Sequence, residues 1–319
     1  MPGPTPAGLA ANVERLAGAG PGPAHGAVAL AVSGGADSLA LMKLAAEAFG
    51  ARAHVLTVDH GLRSEAGTEC ALVAGLAAGL GLPHQTLRLA LSPGGNVQAR
   101  AREGRYAAMA DWCRSHAIPW LLTAHHADDQ AETLLLRLAR GSGVGGLAGI
   151  RDRRDLGGVV VLRPLLRWRR ADLAAIVDSA GWTPVDDPSN RNTAYDRTHA
   201  RALLARTPWM TADRLAASAA CLAQAEAALD WAARCARATR VSRTDGGLLV
   251  NPEGLPAELR RRLLAAALAD CGADPDGPTL QNLLDLLDHG KTGTVGPVRV
   301  QAKPAGLWTI GPAPPRAGG

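Results

Sequence analysis

The stretch Ala27-Val28-Ala29-Leu30-Ala31-Val32-Ser33-Gly34-Gly35-Ala36-Asp37-Ser38-Leu39-Ala40-Leu41-Met42 decides the fold. An apolar run ends in Ser-Gly-Gly and passes directly into apolar residues at helical spacing, which reads as strand, loop, helix. Gly34 and Gly35 permit close backbone approach, the helix start offers unpaired N–H groups, and Ser33 and Ser38 add hydroxyl donors. Together these make a phosphate cradle. A carboxylate at Asp37 would repel phosphates unless a divalent cation lay between them, so Asp37 is the candidate Mg²⁺ ligand. An ordinary glycine turn with a Ser or Asp cap is the other reading of Ser-Gly-Gly alone. The loop is not G-x-x-x-x-G-K-[ST], and no G-x-G-x-x-G is present, so kinase-like and dinucleotide-binding readings fall away.

Outward from this loop the pattern repeats. Strands are expected at His54 to Val58, His84 to Leu89, Trp120 to Ala124 and Val159 to Leu162. Helices are expected at Glu65 to Leu80, Val97 to His116, Asp128 to Arg140 and Arg170 to Ala180. This alternation predicts an α/β fold with a doubly wound parallel sheet, with ligands at the carboxyl ends of its strands. Gly141 to Gly146 reads as a flexible loop and Asp186 to Asn192 as an ordered polar one. A long helix is expected from Thr211 to Arg240. After it come a strand at Leu248 to Val250, helices around Pro256 to Asp270 and Thr279 to His289, and a hairpin from Thr294 to Ile310. The expected organisation is a flexible Pro/Gly-rich lead-in at 1–25, a catalytic domain at 26–210, and a linker helix with a smaller, mainly helical second domain at 211–319.

Of the 319 residues, 47% are hydrophobic but only 3% aromatic, which favours helices packed with small side chains. The net charge of +5 is compatible with a polyanionic partner. Five scattered cysteines without a C-x-x-C pair indicate neither a disulfide framework nor a metal centre and read as small buried hydrophobes. No charged start followed by an apolar core opens the chain, and a cytoplasmic location is expected.

Further motifs follow the loop. Val58-Asp59-His60-Gly61-Leu62-Arg63 closes a strand, and Ala101-Arg102-Glu103-Gly104-Arg105-Tyr106 lies on a helix. Ala124-His125-His126-Ala127-Asp128-Asp129-Gln130-Ala131-Glu132-Thr133 joins a strand to its helix. Asp129 and Glu132, three apart at a helix start, share one face and suit a common cation; the same spacing also fits a capping box. Arg102 and Arg105 suit phosphates, or a solvated helix face. Side chains of His125 and His126 diverge on extended chain, so one lines the pocket and the other packs. Arg163, Arg167, Arg169 and Arg170, and also Arg260, Arg261 and Arg262, are candidate contacts to RNA phosphates. Trp168, Trp182 and Tyr195 are candidates for stacking on bases.

Ser-Gly-Gly-x-Asp-Ser after a first strand resembles the PP-loop ATP pyrophosphatases, whose fold is adenine nucleotide alpha hydrolase-like. The remaining motifs, with Arg140-Gly141-Ser142-Gly143, Gly146-Leu147-Ala148-Gly149, Arg163-Pro164-Leu165-Leu166 and Asp187-Pro188-Ser189-Asn190, resemble the tRNA(Ile)-lysidine synthase family through about residue 205. That resemblance implies adenylation of the C2 oxygen of the first anticodon cytidine of a CAU-anticodon tRNA(Ile), then displacement of AMP from C2 by L-lysine. It implies ATP at Ser33, Gly34, Gly35, Ala36, Asp37, Ser38, Asp59 and His125, with Mg²⁺ at Asp37. Lysine is expected at Asp129 and Glu132, and catalytic roles at Asp37, Arg105 and Arg197. Thr198 replaces the family's Asn after Arg197. A thiolase-type tRNA-modifying enzyme and an inactive tRNA-binding module are the alternatives. Paired cysteines, common in the first, are missing, and the second should have lost a charged site residue. A homodimer is compatible with the sequence.

Overall fold

The computed structural model describes residues 3–18, 26–59, 66–89, 97–185 and 196–314. The chain divides into two compact units, Met1–Ala223 and Gln224–Gly319, and the division falls within helix α9 (Ala212–Arg240). Among the described residues no helix is long and apolar enough to cross a membrane.

The first unit is built on β1 (Val28–Ala31), β2 (Ala53–Asp59), β3 (His84–Arg88), β4 (Trp120–Leu122), β5 (Arg153–Asp155) and β6 (Val160–Leu162), in the order β3-β2-β1-β4-β6-β5. All neighbours are parallel except β5, which returns antiparallel along the edge of β6. Its helices are α1 (Pro6–Ala17), α2 (Ala36–Phe49), α3 (Ala66–Gly79), α4 (Val97–Ser115), α5 (Ala127–Ala139), α6 (Val144–Leu147), α7 (Arg170–Ser179) and α8 (Asp196–Ala205). Successive strand residues face opposite ways, so each strand feeds two cores. Val28, Leu30, Val55, Leu122 and Leu162 pack with Leu39, Leu41, Leu173 and Val177 of α2 and α7. Ala29, Leu56, Leu121 and Val161 pack with Tyr106, Met109 and Cys113 of α4. Strand order reverses between β1 and β4, and that switch point is where an open α/β sheet leaves a crevice at the carboxyl ends of its strands.

Residues 1–25 are not wholly a flexible lead-in. Thr5 caps α1 by accepting from the Gly8 N–H, and Pro6 follows at the first helical position. Leu9 and Val13 are fully buried in the same core as α2. The Asn12 amide donates to the carbonyl of Pro164 at 2.9 Å, and Arg153 donates to the last α1 carbonyls, Leu16 and Ala17. The Pro/Gly-rich flanks hide a twelve-residue amphipathic helix between them.

Gly141 to Gly146 is likewise held rather than free. Arg137 of α5 donates to the carbonyls of Gly146 and Gly149, and the Gln130 amide bonds both the N–H and the carbonyl of Ile150. Gly149 has φ +69°, and a Cβ there would lie 2.5 Å from Gln130 Oε1, so only glycine fits under this clamp.

The second unit contains more sheet than its sequence suggests. β7 (Val241–Thr244), β8 (Gly247–Val250), β9 (Thr292–Val295), β10 (Val298–Ala302) and β11 (Trp308–Pro312) form an antiparallel sheet ordered β7-β8-β11-β10-β9. The expected hairpin is therefore three strands. Helices α10 (Ala257–Asp270) and α11 (Gly277–Asp288) supply Leu263, Leu264, Leu268, Leu280, Leu283 and Leu287 to its core. The cysteines are not all buried: Cys70 and Cys113 are, and burial pushes the Cys113 thiol up to about 12, whereas Cys221 and Cys235 lie exposed on α9.

Because Leu9 is completely buried, Leu9→Ala should lower the unfolding free energy by about 2–5 kcal/mol in urea titrations. An undocked lead-in would show no change.

Candidate active site

A cleft of about 490 Å³ opens at the switch point, lined by the carboxyl ends of β1, β2 and β4 and by residues of α4 and α8. Ser33, Gly35, Asp37 and Ser38 line its floor. The loop is tied internally. Ser38 Oγ donates to the Gly35 carbonyl at 2.9 Å and accepts from the Ser33 N–H at 3.1 Å. Helix α2 starts at Ala36 with Gly35 as N-cap and no side-chain capping bond, so its first amides remain available to an anion. Gly34 and Ala36 do not line the cleft. Gly34 is buried beneath Val185, takes φ +86°, and accepts from the Val185 N–H at 2.9 Å. A Cβ on Gly34 would approach Val185 Cγ2 to 2.9 Å.

Asp37 stands at the centre of the polar contacts. Its Oδ2 is 3.4 Å from Nε2 of His126, while its Oδ1 is buried without a hydrogen-bond partner. A buried carboxylate oxygen without a donor is costly unless a ligand completes it. The donor set fits Mg²⁺, which takes one or two carboxylates and draws its other ligands from phosphate and water. No group of three or more His, Cys, Asp or Glu that could cage a metal occurs among the described residues.

The two histidines separate as expected, one lining and one packed. His125 lines the cleft, with Nδ1 3.0 Å from Thr123 Oγ1. Burial, followed by the guanidinium groups of Arg163, Arg102, Arg197 and Arg105, drives its pKa well below the usual value, leaving a neutral ring at neutral pH. His126 is buried and is itself the N-cap of α5. Its Nδ1 accepts from the Asp129 N–H, and Asp129 Oδ2 returns to the His126 N–H, a capping box closed by histidine. Burial opposes charge on His126, but the bond to Asp37 and the carboxylates of Asp129, Asp37 and Asp128 outweigh it and raise its pKa. Asp128 accepts from the Arg170 N–H and from Arg169, joining α5 to α7.

Asp129 and Glu132 share a face of α5, but only Asp129 reaches the cleft. Glu132 is buried, and Arg201 of α8 holds it at 2.5 Å from Nε to Oε1. Arg197, one turn earlier on α8, lies 3.8 Å from Asp129 Oδ1 and also lines the cleft. Thus α8 sets two arginines against two carboxylates, and Arg201 was missed because its partner is 69 residues away. Arg102 and Arg105 of α4 also line the cleft. Asp59 ends β2 beside Cys70, whose thiol it helps raise after burial, and is not part of the lining. His60 and Tyr195 lie outside the described residues.

Several expected RNA contacts are corrected. Arg163 is buried and donates to the Arg151 carbonyl, so it presents no charge to a polyanion. Arg169 is taken up by Asp128 and Asp213; the side chains of Arg167 and Arg170 are exposed. In the second unit Arg260 pairs with Asp288, Arg261 with Glu258, and Arg262 with Glu226, Asp230 and Glu258. Those acids neutralise the cluster. Trp168 is buried and Trp182 packs against the core, whereas Trp209, not singled out from sequence, is exposed.

A model of the PP-loop domain family matches residues 9–207. A tRNA(Ile)-lysidine synthase of Novosphingobium aromaticivorans is 46% identical over 293 residues, covering 91% of this chain and 90% of that protein. One of Zymomonas mobilis subsp. mobilis is 41% identical, covering 92% and 91% respectively. Among solved structures, the U34-tRNA thiolase NcsA from Methanococcus maripaludis with its [4Fe-4S] cluster aligns with a TM-score of 0.53 at 15% identity, over 66% of this chain and 77% of that one; the likeness is one of fold.

Gly34→Ala should raise KM for ATP at least about tenfold, because both the left-handed backbone and the Val185 contact oppose a Cβ. Arg201→Ala should destabilise the fold by about 3 kcal/mol in denaturant titrations, since it strands the buried Glu132 carboxylate.

Proposed function

We propose, for a chain that belongs to the tRNA(Ile)-lysidine synthase family of PP-loop enzymes, that it joins L-lysine to C2 of the first anticodon cytidine of CAU-anticodon tRNA(Ile), releasing AMP and pyrophosphate. The observation that carries the reading is the meeting, in one cleft, of an uncapped helix start, Asp37 with an unpartnered oxygen, and Asp129 facing Arg197.

The chemistry divides by wall. ATP sits with its phosphates on Ser33 to Ser38, where free α2 amides and hydroxyls accept negative charge. The cytidine C2 oxygen attacks the α-phosphate, and pyrophosphate leaves. Lysine then attacks C2, and AMP departs with the former C2 oxygen. Asp37 would hold Mg²⁺, which when bound supplies charge neutralisation between the triphosphate oxygens. Arg105 and Arg197, which both line the cleft, offset the charge that develops on the reacting phosphate. Asp129 takes the lysine ammonium; its contact with Arg197 is loose enough to be exchanged. Glu132 acts from behind, fixing α8 through Arg201, which corrects its assignment as a direct lysine contact. The neutral ring of His125 borders the nucleotide without adding charge. Most of the rate enhancement expected here is proximity, with lysine and the adenylated base held against one another in a cleft of limited volume.

ATP use and a ligase outcome, lysine bonded to carbon through nitrogen at the expense of ATP, make the decisive assay simple. Purified protein, labelled lysine, ATP and a CAU-anticodon isoleucine tRNA should give labelled tRNA with stoichiometric AMP. Label that stays free, with no AMP released, overturns the reading. In the same assay Asp37→Asn should lower kcat on the order of 100-fold or more, and full activity would remove Asp37 from the metal and phosphate chemistry.

A further inference from the structure

Tyr106 of α4 is buried, and three guanidinium groups surround its ring. The Cζ atoms of Arg102, Arg154 and Arg105 lie 5.6, 5.9 and 6.0 Å from the ring centroid. The Tyr106 phenol also meets Arg163 from behind. Among the described residues none of Arg102, Arg105 and Arg154 forms an ion pair with a carboxylate, unlike Arg169, Arg201 and Arg260 to Arg262. Positive charge is thus concentrated and uncompensated here, a state that persists where an anion visits.

The sheet delivers Arg154 to this place. It pairs with Val161 across the β5–β6 ladder, and Val161 belongs to the core beneath α4. Its neighbours Arg153 and Asp155 point to the other face, where Arg153 binds the end of α1. Arg154 and Arg102 are exposed, while Arg105 is half-buried and, with Arg102 and Tyr106, lines the cleft wall. The aromatic face restrains both outer guanidinium planes, so less rotamer freedom is lost when they take a ligand.

We propose that Arg154 and Arg102, held on Tyr106, form a phosphate subsite at the mouth of the cleft that takes a backbone phosphate beside the nucleotide being modified. This rests on the reading of the chain as an enzyme acting on tRNA. The inner anion site, at the start of α2, belongs to ATP. A base inserted toward it leaves its own sugar-phosphate chain at the mouth, where contacts fix register without reading sequence. Among the described residues, β5, the antiparallel edge strand, places Arg154 there from outside the catalytic motifs.

The test uses the full chain with Arg154→Ala and Arg154→Lys. It measures CAU-anticodon tRNA binding over a salt series, binding of a non-hydrolysable ATP analogue, and steady-state kinetics with each substrate varied. Arg154→Ala should raise KM for tRNA about tenfold with kcat little changed and analogue binding unaltered. The slope of log K against log salt should become shallower by about 0.7 for a single-stranded contact. Arg154→Lys should recover the slope but only part of the affinity, since lysine lacks the planar fork. The proposal is overturned if Arg154→Ala weakens analogue binding while tRNA binding and its slope stay unchanged, because the subsite would then serve the nucleotide. It is equally overturned if nothing changes. Failure of the unaltered protein to bind this tRNA or to incorporate lysine instead removes the underlying functional reading, a result that the wild-type arm reports on its own.

Discussion

The first turn of α2 points bare amides into a cleft that is also lined by the carboxylates Asp37, Glu69 and Asp129, and the surroundings of the site follow from that conflict. Gly35 brings no capping side chain, so the N–H groups wait for phosphate. Asp37, one residue into the helix, would repel the same phosphate, and the protein meets this from two sides. His126 faces one Asp37 oxygen, and the other is kept away from water without a donor, a position that a cation between carboxylate and phosphate would complete. By contrast α5, whose start borders the same cleft, is closed by the reciprocal His126 and Asp129 bonds. One helix start is open to ligand and the other is sealed, and the histidine that seals the second also touches the acid of the first.

Much of the catalytic unit is legible in the sequence because its signals are local. Apolar runs ending in glycine, helical spacing after them, and Asp or Arg at fixed offsets all lie within a few residues of one another. What escaped are relations between distant positions. Glu132 and Asp129 look equivalent on α5, but Arg201 arrives from far along the chain and takes only the former. Arg260 to Arg262 read as a basic patch until Glu226, Asp230 and Asp288 fold against them. Arg163 reads as surface until Tyr106 of α4 and the Arg151 carbonyl close around it. Helix α1 escaped for another reason: proline and glycine on both sides concealed a short amphipathic pattern whose partners lie on α2, on β6 and in the segment after it.

Arginine in this protein therefore has three distinct physical states. Some close helix or loop ends through carbonyls, as Arg137 and Arg153 do. Others are cancelled by carboxylates, as in the second unit. A third set crowds a tyrosine or faces the cleft and keeps its charge. Net charge cannot separate these states, and counting arginines overstates the surface available to RNA. Charge that packing leaves uncompensated near the cleft is more informative than the sum.

The docking of α1 has a consequence for synthesis. Asn12 bonds to a carbonyl 152 residues further on, so α1 has no completed seat until that stretch of chain has been made. At ordinary elongation rates that wait is roughly 10–30 s, during which α2, but not yet β6, can cover the apolar stripe that includes Leu9 and Val13. The closing of the first unit is thus timed by the arrival of the β6 edge.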